Sequence, residues 1–336
     1  FFMLSRWEES VASVRDEHGR FPAHASVAYK QGFLDRPIVD EYALVLQAWL
    51  RVLRPGWTPQ AHSFSVHLSH DIDSVRMINK PALGAKVLAA DLLKRRSIGS
   101  ARATLQAAFD QARDPYLQGI YTLANLSEEH GFRSAFYFMA SDPGPRDTGY
   151  PVDTPLMHQC FADLQKRGHE LGFHPGYRTT EKPEVFTQEL ERLKSVYPAP
   201  LVGGRQHFLR CRFPDTWRQW AGAGVTYDST LGFPEQEGFR CGTCHPFKPF
   251  DIHAQRQIEL LELPLIVMDV TLFMYRKLTP ALAEERVLLL ARRCQQVGGV
   301  FTLLWHNSSL QGSWLPWLAM YRRVLSRLRQ MLDEQA

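Results

Sequence analysis

The feature that most constrains the fold is an alternation that begins at Phe64. From there, short apolar runs with strand character are separated mostly by stretches with helical spacing. The strand-like runs fall at 64–69, 134–139, 170–173, 201–204, 224–227, 258–267 and 300–305. Helical patterns over about 155–167, 183–196, 214–222 and 279–297 lie between them, and an amphipathic stretch over 314–333 follows the last. Strands joined through helices imply an α/β fold with a parallel sheet. Rolled up, seven such units make a barrel one unit short of eight. Two longer segments interrupt the pattern: a helical excursion over 78–131, containing Ala85–Leu93, and an irregular loop over 228–255.

Residues 1–60 stand ahead of this pattern. Trp7–Val11 reads as helix, Asp16–Pro22 as a polar turn, and Val39–Leu53 as a second helix ending before Pro55-Gly56. This extension is expected to pack on the main domain, residues 61–336, rather than form a domain alone.

With 336 residues, 45% of them hydrophobic, the chain can bury one large core. Its net charge of +4 is small, and its basic residues are scattered, so nucleic acid is not an expected partner. Lys94-Arg95-Arg96 reads as a solvated helix face. Five cysteines, an odd number, argue against a disulfide framework. The lone Cys241-Gly242-Thr243-Cys244 reads as a tight turn before a redox pair or half a zinc site. The most apolar segment, Ile258–Tyr275, is broken by Glu259, Glu262, Pro264 and Asp269, so no transmembrane span is expected. No secretory leader pattern is present either, which points to the cytoplasm. The chain starts at Phe1-Phe2 without Met, however, and a missing N-terminal piece would reopen the location. The sequence gives no oligomeric state.

Parallel α/β folds place their chemistry at the C-terminal ends of the strands. The first strand runs into Ser69-His70-Asp71-Ile72-Asp73-Ser74. Strand alternation projects Asp71 and Asp73 together and turns His70 away. Two carboxylates this close repel unless a cation intervenes, and a metal ion is the usual answer; a capping turn is the plainer reading. The third strand ends at His174-Pro175, the fourth in Gly203-Gly204-Arg205-Gln206-His207-Phe208, the sixth at Met268-Asp269, and the seventh in Leu303-Leu304-Trp305-His306-Asn307. A lone His is usually structural. Reactive residues at so many strand ends point instead to one shared site. No Gly-x-Ser-x-Gly occurs, which discounts a serine hydrolase.

The order Asp pair, strand-tip His, Arg-x-x-Phe, Asp and Leu-x-x-His resembles the polysaccharide deacetylases, the family-4 carbohydrate esterases with a NodB-type catalytic domain. The resemblance covers roughly residues 60–310. Gly204–Phe208, Tyr227-Asp228-Ser229-Thr230, Gly238–Thr243 and Leu303–Asn307 are similar to a bacterial branch found with surface-polysaccharide synthesis, as are Phe1–Glu9 and Gly19–Pro22. It implies a distorted (β/α)7 barrel and a divalent metal, zinc foremost. The implied activity removes N-acetyl groups from amino sugars of a bacterial polysaccharide or its precursor.

Carried over by residue, the resemblance makes Asp71 the general base, Asp73 a metal ligand and His174 the first metal His. The family's second metal His falls at Arg178, which cannot ligate a metal. Asp plus a single His is a poor zinc site. His207 stands where the family has Pro in its Arg-x-Pro-Tyr/Phe turn and is the candidate replacement; packing against the turn or gripping substrate are its other readings. The resemblance further implies that Arg205 orients Asp71 and that a backbone N–H near Phe208 faces the oxyanion. His306 would protonate the leaving amine, Asp269 keep that imidazole charged, and Leu304 line a pocket for the acetyl methyl. Trp305 is expected behind the strand, and His70 and His169 pointing away. Two other functions fit the same motifs: a C–N hydrolase of small cyclic amides, and a non-catalytic carbohydrate-binding relative. The Arg at 178 argues for the latter; retention of Asp71, Arg205 and His306 argues against it.

Overall fold

The structure, a computed structural model, describes residues 1–77, 84, 88–94 and 98–335. Part of the helical stretch expected over Ala85–Leu93 lies outside these residues. Eight strands form one parallel sheet: β1 (Ser65–Ile72), β2 (Ser134–Phe138), β3 (Glu170–Phe173), β4 (Gly203–Gly204), β5 (Tyr227–Asp228), β8 (Leu261–Glu262), β9 (Val267–Met268) and β10 (Val300–Leu304). Two further short strands, β6 (Phe250–Asp251) and β7 (Arg256–Gln257), pair antiparallel within and just beyond the segment read as irregular.

The sheet order is β8-β5-β4-β3-β2-β1-β10-β9. Its first and last members belong to one stretch of chain, because only Leu263–Ile266 separates β8 from β9. The backbone N–H of Leu263 donates to Asp228 on one edge, and that of Ile266 to Thr302 near the other. A single segment therefore spans the gap between the two edges, and the sheet curls into a distorted barrel. The run read as one strand over 258–267 is thus two, divided at Pro264, which has no N–H to give a ladder.

β1 is longer than its apolar pattern suggests. Its ladder with β2 continues through Asp71↔Tyr137 and Ile72↔Phe138, so Asp71 lies within the strand and Asp73 just beyond it. Helices lie on the outside. Those at Pro115–Glu129, Pro155–Lys166 and Pro280–Gln296 begin alike: Asp114, Thr154 and Thr279 each accept a backbone N–H, and Pro follows in the first turn. The helix Leu315–Asp333 buries Trp317, Met320, Tyr321, Val324, Leu325, Leu328 and Met331, the spacing of one apolar face.

Inside the barrel, Tyr137 and Tyr227 meet through their hydroxyls at 2.8 Å, and His67 Nε2 lies 3.1 Å from the Tyr137 hydroxyl. The two rings need space on neighbouring strands. A Cβ on Gly172 would stand 2.4 Å from the Tyr137 ring, and one on Gly203 2.4 Å from Tyr227. This polar, aromatic floor raises the reactive groups to the mouth of the barrel.

The N-terminal segment lies against the barrel. Glu9 is buried between Arg6 and Arg240, accepting from Arg6 Nε at 2.8 Å and Arg240 Nη2 at 2.7 Å. Asp40, in the helix Ile38–Leu53, accepts from the Thr243 hydroxyl at 2.5 Å and the Cys244 N–H at 2.9 Å. All five cysteines are buried free thiols, and Gly242, at φ 70°, makes the turn between Cys241 and Cys244. Among the described residues no helix is long and apolar enough to cross a membrane.

Candidate functional site

Odd-numbered residues of β1 climb the inner wall. Above His67 comes Ser69, then Asp71, then Asp73 just past the strand end. Arg205, following β4, crosses beneath this cluster with its guanidinium fully buried over the Tyr137 ring. Its Nη1 donates to Asp71 Oδ1 at 2.8 Å, its Nε to the Ser229 carbonyl at 2.8 Å, and its Nη2 to the hydroxyls of Ser69 and Ser229 at 3.0 Å each. One carboxylate oxygen of Asp71 is thereby fixed; the other lies 3.8 Å from His174 Nδ1.

His174, at the tip of β3, has Nδ1 2.7 Å from the Arg205 carbonyl, and His207 has Nδ1 2.8 Å from Asp147 Oδ1. A carbonyl and a carboxylate only accept, so both rings carry their proton on Nδ1. In each neutral ring Nε2 then presents a lone pair. His174 Nε2 lies 3.1 Å from Asp73 Oδ1 and His207 Nε2 lies 3.8 Å from the same oxygen. Neither His174 Nε2 nor Asp73 Oδ1 has a hydrogen-bond partner among the described residues, although both atoms are buried. Ligand atoms of Asp73, His174 and His207 all fall within 4.8 Å of one another. One carboxylate with two imidazoles is a donor set that zinc and similar divalent ions accept. Arg178 is exposed and takes no part.

His306, after β10, donates Nδ1–H to Asp269 Oδ1 at 2.7 Å, and its own backbone N–H reaches Asp269 Oδ2 at 2.9 Å. Its Nε2 faces the cluster, 3.8 Å from Asp73 Oδ2. Burial alone pushes this imidazole's pKa down. The Asp269 carboxylate, helped by Asp73 and Asp71, more than reverses that and carries it up to about 10. Burial likewise pushes Asp73 up, but His207, His174 and His306 together hold it well below the usual carboxylate range.

These groups line a cavity of about 140 Å³, together with Phe208, Leu209, Met268 and Val270. Phe208 and Leu209 both adopt positive φ, 61° and 53°, a region costly for side chains of this size. Leu304 is fully buried, packed with Leu209, Leu265 and Met268; Leu209, Met268 and Val270 border the cavity and give it an apolar side. His70 and His169 turn outward as expected: His70 Nδ1 meets the Trp305 carbonyl at 2.7 Å, and His169 Nε2 meets Glu128 at 3.0 Å. Trp305 is buried behind its strand, stacked on Tyr321.

The fold has a solved counterpart. The chain is similar to the crystal structure of a "putative polysaccharide deacetylase from Mycobacterium smegmatis", with a TM-score of 0.52 and 19% identity over 82% of this chain and 87% of that one. At that identity the likeness concerns the fold. Residues 1–55 match the model of a family of unknown function, DUF7033. Among curated proteins, no sequence is significantly similar to this chain.

Two residues at the site were missed in the sequence. Asp147 sits in the Pro/Gly-rich loop after β2, where no spacing relates it to His207. It also accepts the Tyr177 N–H, at 3.0 and 3.1 Å from its two oxygens, and so ties the loop after β3 to the site. Arg20 comes from the N-terminal turn and lines the cavity although it lies about 50 residues ahead of Asp71 and more than 150 ahead of His174. A second group with metal-ligand chemistry, Asp40, Cys244 and His245, lies beside the N-terminal end of β10, where Val300 N–H donates to the Cys244 carbonyl, opposite the end that carries His306. There both Asp40 oxygens are already engaged by Thr243 and Cys244.

Proposed function

We propose that this protein is a metal-dependent hydrolase that removes N-acetyl groups from amino sugars of a bacterial polysaccharide or its precursor. One observation carries the reading: the imidazoles of His174 and His207, each held by an acceptor on Nδ1, turn Nε2 toward Asp73 beside an Arg-paired carboxylate and a carboxylate-paired imidazole. A carbohydrate-binding protein has no need of that acid–base pair. The residues fit a divalent metal, with Asp73, His174 and His207 as its ligands.

Such a metal, when bound, lowers the pKa of a coordinated water and polarises an acyl carbonyl. The remaining chemistry belongs to the chain. Asp71, held in orientation by Arg205, accepts the proton of the attacking water. The backbone N–H of Phe208, a residue of the cavity wall, donates to the oxyanion as the carbonyl becomes tetrahedral. His306, protonated through its pairing with Asp269, delivers a proton to the departing amine. Leu209, Met268 and Val270 give the acetyl methyl an apolar surface. A cavity of about 140 Å³ suits an acyl group better than a whole sugar, which is smaller than the pockets that enclose entire ligands, roughly 300 Å³ upward.

The test is acetate release from N-acetylglucosamine oligomers by protein loaded with zinc or another divalent metal, beside Asp71→Asn. Release by the wild type that falls by a factor on the order of 10² or more in the variant supports the reading. Equal release by both proteins, or none by the wild type with any acetylated sugar, contradicts it.

A further inference from the structure

The N-terminal turn Asp16–Phe21 is built to deliver one side chain. Asp16 N–H donates to the Arg20 carbonyl at 2.9 Å, Gly19 N–H donates back to Asp16 at 3.0 Å, and Gly19 supplies the positive φ of 73° that closes the turn. The Asp16 carboxylate then accepts from the backbone N–H groups of His18 and Arg20, at 2.9 and 2.8 Å, and from Arg20 Nε at 2.7 Å. Arg20 is thereby aimed at the cavity, where it is only 4% exposed.

This turn and the Phe208 turn hold each other. Arg20 Nη1 donates to the Phe208 carbonyl at 2.8 Å, Arg210 Nε donates to the His18 carbonyl at 2.8 Å, and the His18 and Phe208 rings pack 4.8 Å apart. The guanidinium of Arg20 thus has Nε and Nη1 engaged. Its Nη2 makes no hydrogen bond among the described residues and stays accessible at the wall of the cavity. A guanidinium matches the oxygens of a carboxylate or phosphate in charge and donor geometry.

We propose that Arg20 is a substrate-contacting residue that selects an acetamido sugar bearing an anionic group, a carboxylate or a phosphate, close to the acetylated nitrogen. The inference rests on the deacetylase reading, and it gives the N-terminal segment a part in the site. Arg20 is the one cavity cation, among the described residues, whose charged edge is neither spent on a catalytic partner nor placed to hold a metal. Its bonds to Asp16 and to the Phe208 carbonyl hold the side chain in place beside the cavity.

The test is calorimetric binding to the metal-loaded full chain, which needs no turnover and so can fail separately from the deacetylase reading. The probes are neutral N-acetylglucosamine disaccharide, an N-acetylated hexosaminuronic acid and N-acetylglucosamine phosphate. The wild type should bind at least one acidic sugar about tenfold or more tightly than the neutral one, and the two acidic probes tell carboxylate from phosphate. Arg20→Gln, checked for folding by thermal melting, should abolish that preference, and Arg20→Lys should keep part of it. A residue that only braced Phe208 would weaken all three probes alike. No binding of the acidic sugars, no preference in the wild type, or an undiminished preference in Arg20→Gln overturns the proposal. If Arg20→Gln does not fold, the wild-type preference and its reduction in Arg20→Lys decide the matter.

Discussion

His207 and Asp147 form a 2.8 Å Nδ1–carboxylate pair that turns the other imidazole nitrogen toward Asp73. The pair gives the chain a second imidazole at the site although the position expected to supply one is Arg178. A carboxylate on the distal nitrogen fixes the ring's tautomer and raises its basicity as a ligand.

The first prediction concerns that pair. Asp147→Ala should weaken metal affinity about 10- to 100-fold while leaving the ligand set in place. Competition with a chromogenic chelator measures this. An affinity equal to that of the wild type would show that Asp147 merely ties down the loop at Tyr177.

Arg205 and Asp71 are both buried, and four hydrogen bonds hold the guanidinium. Arg205→Met should destabilise the fold by about 3–5 kcal/mol, because it strands a buried carboxylate. Combining it with Asp71→Leu should recover much of that loss. Urea denaturation of the three variants is the measurement; a single variant within 1 kcal/mol of the wild type, on the order of a surface change, would contradict it.

His306 owes its raised pKa first to Asp269, working against burial. Asp269→Asn should therefore lower that pKa. An acid must be protonated to act, so the basic limb of the pH–rate profile should move to lower pH and the maximal rate should fall by roughly 10²-fold or more. An unmoved basic limb would assign it to another group.

Glu189 offers a test of stability apart from catalysis. Burial, aided by Asp147 and opposed by the Gly176 N–H, raises its carboxyl to about 7 from an ordinary 4.5. Between those values the folded protein keeps a proton that the unfolded chain releases. Stability from this group is therefore lost as pH rises from about 4.5 to 7 and does not return above it. Glu189→Gln should leave stability at pH 4 nearly unchanged and raise it at pH 8 by about 2 kcal/mol. Melting curves at both pH values check this; equal effects at the two would contradict it.

Much of this architecture is legible in the sequence, because strand alternation and barrel topology are local rules repeated. Asp71, Asp73, His174, Arg205, Asp269 and His306 each end or follow a strand, and the parallel sheet gathers strand ends without further information. His207 was legible only as an oddity in a turn. What escaped is what depends on loops. Asp147 and Arg20 reach the site from irregular segments, where no periodicity says which way a side chain points. Alternation gives the face of Leu304, which packs with the cavity-lining Leu209 and Met268, but says nothing of those partners themselves. The break at Pro264 follows from a missing N–H, yet the pairing of its two halves with opposite sheet edges is set by how the whole barrel closes.

The most direct test of the account is the metal content of the purified full chain, after zinc addition and dialysis, beside His174→Ala and His207→Ala. The account predicts close to one metal ion per chain in the wild type and loss of most of it in both variants. Retention of the metal by His207→Ala would remove that residue from the ligand set, and a wild type that holds no metal would contradict the central claim.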